Sequence, residues 1–199
     1  MPKFTNKFLT VALAAAGLAL AACQQSPPPA ADKPAAPVVD QAAMVKRGEY
    51  LVTTTLCNDC HTPWKMGPQG PEPDMSRMLS GHPENLKLSA PPKPSKDWVA
   101  SWSATNTAWA GPWGISYTAN ITSDQNTGIG IWDEAMFIKT MREGRHMANG
   151  RPLLPPMPWP WLAKMTDDDL KAMFAYLKST PPISNHVPDA VIAEPPAAK

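Results

Sequence analysis

At 199 residues with 43% apolar side chains, the chain is long enough for one domain with a buried core, which excludes global disorder. Its formal charge of +1 excludes the basic field that nucleic-acid binding needs. Its 25 prolines, many in runs, mean that much of it is loop or extended segment.

The first stretch, "MPKFTNKFLTVALAAAGLALAAC", sets Lys3 and Lys7 ahead of an apolar run from Phe8 to Leu20, then small residues. That order predicts a secretory signal peptide over 1–22, too short for a comfortable membrane span. The run ends Leu20-Ala21-Ala22-Cys23, which resembles a bacterial lipobox. The resemblance implies cleavage before Cys23, a lipid on its thiol and, with Gln24 next, the outer membrane. Loss of Lys3 and Lys7 takes the formal charge from +1 to −1. Residues 24–40, "QQSPPPAADKPAAPVVD", are Pro and Ala with almost no large apolar side chain. Together with Cys23 they predict a lipidated linker over 23–41, because such a composition cannot offset its ordering entropy.

A domain is expected over 42–183. "DQAAMVKRGEYLVTTT" predicts a helix with Asp40 as N-cap. Residues 62–116 are rich in Pro, Gly, Ser and Trp without a sustained period, so they read as irregular. "WDEAMFIKTMREGR" predicts a helix capped by Asp133 and ended by Gly144, with Met136, Phe137, Thr140 and Met141 on one face. In "KMTDDDLKAMFAYLKSTPP", Thr166 is the N-cap and three aspartates favour the positive helix end. Leu170, Met173, Phe174 and Leu177 follow at helical spacing, and Pro181 stops the run. No strand pattern competes, and 184–199 reads as a disordered tail.

The chemistry lies in Cys57-Asn58-Asp59-Cys60-His61. In an exported protein such a pair is a disulfide, a redox dithiol, a metal site or an attachment point. A disulfide here closes a tiny loop and restrains little unfolded chain. Zinc needs two more thiolate or imidazole ligands, and His82, His146 and His186 have no paired spacing. A thioredoxin-like pair belongs between a strand and a helix, whereas here a helix precedes and a Pro-rich loop follows. Covalent haem fits: two thiols three positions apart add to the vinyl groups, and the next residue, His61, binds iron.

A haem's function follows from its other axial position. His plus Met suits electron transfer, whereas an open position suits gas binding or peroxide chemistry. Among 11 methionines, Met157 in "RPLLPPMPWPW" stands out, because Pro155, Pro156 and Pro158 forbid helix and stiffen its loop. Trp159 and Trp161 are candidates to exclude water beside it. Met165 and Met147 are the reserve candidates, and core packing is the alternative role for Met157.

"VKRGEYLVTTTLCNDCHTP", "YTANITSDQNTGIGIWDEAMFIKTMREGR" and "MPWPWLAKMTDDDLKAMFAYLKSTPP" together resemble class I cytochrome c domains. These occur in cytochrome subunits of periplasmic dehydrogenases and in monohaem relatives. The resemblance runs from about Met44 to Pro182. It implies an all-α fold whose first and last helices cross near the haem. The long irregular Pro/Trp-rich insertion from Trp64 to Ser116, after the haem motif, departs from that pattern, being longer than a minimal domain of the family needs. Gly48 suits that crossing. The family's attachment cysteines match Cys57 and Cys60, its proximal histidine His61 and its distal methionine Met157. Asn120 and Thr122 are candidates to meet the haem propionates. The dehydrogenase subunits usually carry three haem motifs, and this chain has one.

The expectation is an electron carrier rather than an enzyme, with one haem c. It is held by lipid on the periplasmic side and exchanges electrons with a dehydrogenase, an oxidase or another cytochrome. The alternatives are a haem subunit of a dehydrogenase or oxidase complex, a five-coordinate sensor and a peroxidase.

Overall fold

The structure, a computed structural model, describes residues 40–193. The signal peptide expected over 1–22, Cys23 and the linker up to residue 39 lie outside the described residues.

Three longer helices form where local signals place them. α1 (Gln41–Thr54) starts at Asp40, whose carboxylate accepts from the amides of Ala42 and Ala43. α2 (Cys57–His61) follows after Leu56, which takes a left-handed conformation with φ 62°. α3 (Glu134–Glu143) is capped by Asp133 and closed by Gly144 at φ 63°. A short α4 (Trp159–Leu162) precedes α5 (Asp167–Ser179), where the Thr166 side chain accepts from the Asp169 amide. These caps satisfy donors that a helix start leaves open.

α1 and α5 cross at Gly48. A Cβ built there would lie 1.9 Å from the Ala172 carbonyl oxygen and 2.7 Å from Tyr176 Cβ. The two backbones therefore approach as only glycine allows. Leu51 and Val52 of α1 join Leu170, Met173, Phe174 and Leu177 of α5 and Phe137 and Met141 of α3 in one core. Each such side chain contributes about 1.5–3 kcal/mol when fully buried.

The all-α expectation is corrected by two antiparallel sheets. β1 (Trp64–Gly67) pairs with β2 (Gly70–Pro73). β3 (Ser101–Trp102), β4 (Ala108–Gly111), β5 (Gly114–Tyr117) and β6 (Val191–Ile192) form a second sheet in that order. Parts of the stretch read as an irregular insertion are thus paired backbone, at its two ends, whereas residues 78–100 lie in no strand or helix. The strands are two to four residues long, too short for alternation to show in the sequence, and their stability comes from partners rather than propensity. β6 joins from far along the chain. Its Val191 carbonyl passes within 1.9 Å of where a Gly114 Cβ would stand.

The stretch expected to be a tail from 184 contributes Asn185, which has no exposed surface. Its Oδ1 accepts from Arg77 Nη2 at 2.8 Å and the Glu84 amide at 3.0 Å. Its Nδ2 donates to the carbonyls of Ser80 at 2.7 Å and His82 at 2.8 Å. All four of its hydrogen-bonding positions are used. Asn185→Ala would leave several buried groups without partners, so we expect a loss of about 3 kcal/mol in chemical denaturation. A loss below about 1 kcal/mol would mean that this residue does not staple the chain's end to the 77–84 loop.

Candidate functional site

The Cys57–His61 motif sits on one short helix whose geometry is fixed from several sides. Leu56 breaks the path between α1 and α2. Thr62, with no exposed surface, donates its hydroxyl to Asn58 Oδ1 at 3.1 Å and accepts the Leu79 amide at 2.9 Å. The Gly81 amide donates to the His61 carbonyl at 2.7 Å. Gly81 holds φ 76°, and a Cβ there would stand 2.4 Å from the Thr118 carbonyl oxygen. The loop over 79–82 is thereby pressed between the motif and residues 118–121.

His61 is 9% exposed, and its Nδ1 lies 2.7 Å from the Ala119 carbonyl oxygen. A carbonyl only accepts, so Nδ1 carries the proton and Nε2 keeps its lone pair. Burial pushes the His61 pKa down, against the opposing pull of the Ala119 hydrogen bond. The ring is therefore a neutral, oriented imidazole suited to binding a metal through Nε2.

Cys57 and Cys60 carry free thiols. The Cys57 Sγ lies 3.4 Å from the Thr55 hydroxyl. Burial pushes both thiols up, and the Asp59 carboxylate adds to the rise at Cys60. Neither is the activated thiolate that a dithiol oxidoreductase needs. Among the described residues, no three His, Cys, Asp or Glu side chains converge as a metal cluster, so the thiol pair lacks the partners of a zinc site. Two unpaired thiols beside an imidazole with a free lone pair are the donor set that covalent haem requires.

Met157 is partly buried and borders the same core that Cys57 borders. Its amide donates to the Leu154 carbonyl at 3.2 Å. The loop that carries it is anchored at one end by the Leu153 amide on the Gly144 carbonyl at 2.7 Å. At the other, the Trp159 ring fills the space where a Gly144 Cβ would be, with its nearest atom 2.3 Å away. Met165 also borders the core, whereas Met147 lies in a short 3₁₀ turn at φ 49°. Trp161, considered as a water shield, is 72% exposed. Asn120 and Thr122 are committed within the protein. Asn120 Nδ2 donates to the Ile183 carbonyl at 2.7 Å, and its Oδ1 accepts the Thr122 amide and hydroxyl.

Sequence reasoning missed the groups that set the histidine and the loops. The Ala119 carbonyl has no side-chain signature. Asn106, at φ 55°, was detectable only as a turn-prone residue, since asparagine tolerates the left-handed region. Cys23 lies outside the described residues.

No family model matches the chain. Over 139 residues it is 34% identical to the gluconate 2-dehydrogenase cytochrome c subunit of Pantoea cypripedii, covering 69% of this chain and 24% of that one. It is 31% identical over 147 residues to a nicotinate dehydrogenase subunit of Pseudomonas putida, covering 74% of this chain and 9% of the relative. The cytochrome c subunit of a quinone-type alcohol dehydrogenase from Gluconobacter oxydans is 29% identical over 152 residues, at 74% and 24% coverage. These matches span about a quarter or less of the relatives' length.

Proposed function

We propose that this relative of dehydrogenase cytochrome c subunits is a single-electron carrier. One haem c would be held covalently by Cys57 and Cys60, with His61 and Met157 as the residues that bind its iron. The observation that carries the reading is the His61 ring. Its proton is committed to Ala119 at 2.7 Å, which leaves Nε2 as a ligand one residue beyond two free thiols. When bound, the haem supplies an iron that changes oxidation state by one electron. The Nδ1–H of His61 on the Ala119 carbonyl fixes the orientation of the ring. Met157, on a loop fastened at both ends, offers a soft thioether without the entropy cost of ordering a free segment. With both ligands retained, little has to move when charge changes.

Kinship with dehydrogenase subunits favours a dehydrogenase as electron donor, with an oxidase or another cytochrome as acceptor. The chain acts on the periplasmic side, held at the outer membrane by lipid on Cys23. That tether raises its local concentration at membrane-bound partners. The near-neutral charge suits docking through a modest, partly apolar patch.

A redox titration of the mature protein should follow a reversible one-electron curve, and the reduced form should not bind carbon monoxide. Carbon monoxide binding by the untouched reduced protein would show an open sixth position, and a sensor or peroxidase would replace the carrier.

A further inference from the structure

Three hydrogen bonds tie the inserted β-structure to the two segments that carry the proposed ligands. At the turn between β3 and β4, Asn106 is 9% exposed and donates Nδ2–H to the Asp59 carbonyl at 2.8 Å, inside the haem-motif helix. Two residues beyond β5, the Ala119 carbonyl accepts from His61. On β5 itself, the Ser116 hydroxyl donates to the Pro155 carbonyl at 2.6 Å, two residues before Met157. One stretch of chain, from Asn106 to Ala119, thus reaches both the segment that carries His61 and the segment that carries Met157.

The Met157 loop needs such a hold. Pro155, Pro156 and Pro158 have no amide hydrogen, so between Pro155 and Pro158 only the Met157 amide can donate, and it serves the turn to Leu154. Among the described residues, Ser116 makes the one side-chain hydrogen bond to residues 153–158. Ser116 itself is 8% exposed, so the donor side of this part-buried bond has little water to turn to if the bond is lost.

We infer that the inserted sheet is a clamp on the two ligand-bearing segments, with Ser116 as the positioning residue for Met157. The inference rests on the assignment of His61 and Met157 above. An iron–thioether bond is weak, so the fraction of molecules with Met157 in place depends on how firmly its loop is closed. Ser116 biases that equilibrium toward the closed loop, and Asn106 holds the opposite jaw on Asp59.

Imidazole added to the oxidised holoprotein competes for the position assigned to Met157. Its apparent affinity therefore rises in proportion to the open fraction. Ser116→Ala should bind imidazole about tenfold more tightly than wild type, and Ser116→Thr should restore the wild-type value. Thr and Val have the same shape, so Ser116→Val set against Ser116→Thr reads the hydroxyl alone and should show the same tenfold gap. Ser123→Ala removes a similar anchor, a hydroxyl on the Thr180 carbonyl at 2.5 Å, away from the Met157 loop, and should leave imidazole binding unchanged. Unchanged affinity in both Ser116→Ala and Ser116→Val, or an equal rise in Ser123→Ala, overturns the clamp. The ligand assignment fails separately, when the wild-type oxidised spectrum lacks a sulfur-to-iron band before any imidazole is added.

Discussion

Gly48→Ala should destabilise the holoprotein by about 3 kcal/mol, lowering its thermal midpoint by roughly 10 °C. The added methyl would meet the Ala172 carbonyl oxygen at 1.9 Å and its carbon at 2.6 Å. Backbone cannot swing aside as a side-chain tip can, so α1 and α5 would have to separate. Separation costs contact along the seam where Leu51 and Val52 meet Leu170, Met173 and Phe174. Overpacking ordinarily costs about 1–3 kcal/mol, and a clash with main chain belongs at the upper end. Against a total stability of about 5–15 kcal/mol, that is a large fraction. Gly70→Ala serves as the comparison. Gly70 holds φ 125° with open space around its Cβ position, so only backbone strain of about 1 kcal/mol is expected. Circular dichroism melts of the two variants would check both. If Gly48→Ala melts with Gly70→Ala or above it, the close crossing is wrong.

The second large effect is on the cofactor's attachment. Replacing Cys57 and Cys60 together by alanine should abolish covalent haem altogether, whereas either single change should leave one bond. The wild-type protein should keep its colour through acidified acetone and on a denaturing gel, and the double variant should lose it in both. Haem that leaves the wild-type chain under these conditions would show that neither free thiol carries it. The motif would then have to be reread as a dithiol, despite burial holding both thiols in their protonated form.

Legibility in the sequence followed locality. Asp40, Asp133, Thr166 and Gly144 mark helix ends by interactions within a few residues, and each stands at the end expected of it. The apolar face of α5 was readable because period and burial coincide at Leu170, Met173, Phe174 and Leu177. The strands were not readable. "GPEP" and "AWAG" are four-residue pieces with glycine and proline, and only their partners make them strands. β6 depends on β5, which lies more than seventy residues earlier. A local reading of propensity and period has no access to that pairing.

At the candidate site, the motif residues stand out in the sequence because covalent haem attachment would need that spacing. Met157 stood out because three prolines surround it. The atoms that orient them were not legible. The Ala119 carbonyl is main chain, and nothing in "YTAN" announces a histidine partner. Ser116 is one serine among several, and its hydrogen bond to Pro155 exists only because β5 brings it there. Such second partners are set by tertiary geometry, so composition and motif cannot supply them.

The most direct test of the carrier reading is the optical spectrum of the mature oxidised and reduced protein, taken for wild type, Met157→Ala and Met165→Ala. Sharp low-spin bands and a weak sulfur-to-iron band in the oxidised wild type, lost in Met157→Ala and kept in Met165→Ala, are the predicted result. A high-spin wild type, or a sulfur band that survives Met157→Ala, would contradict it.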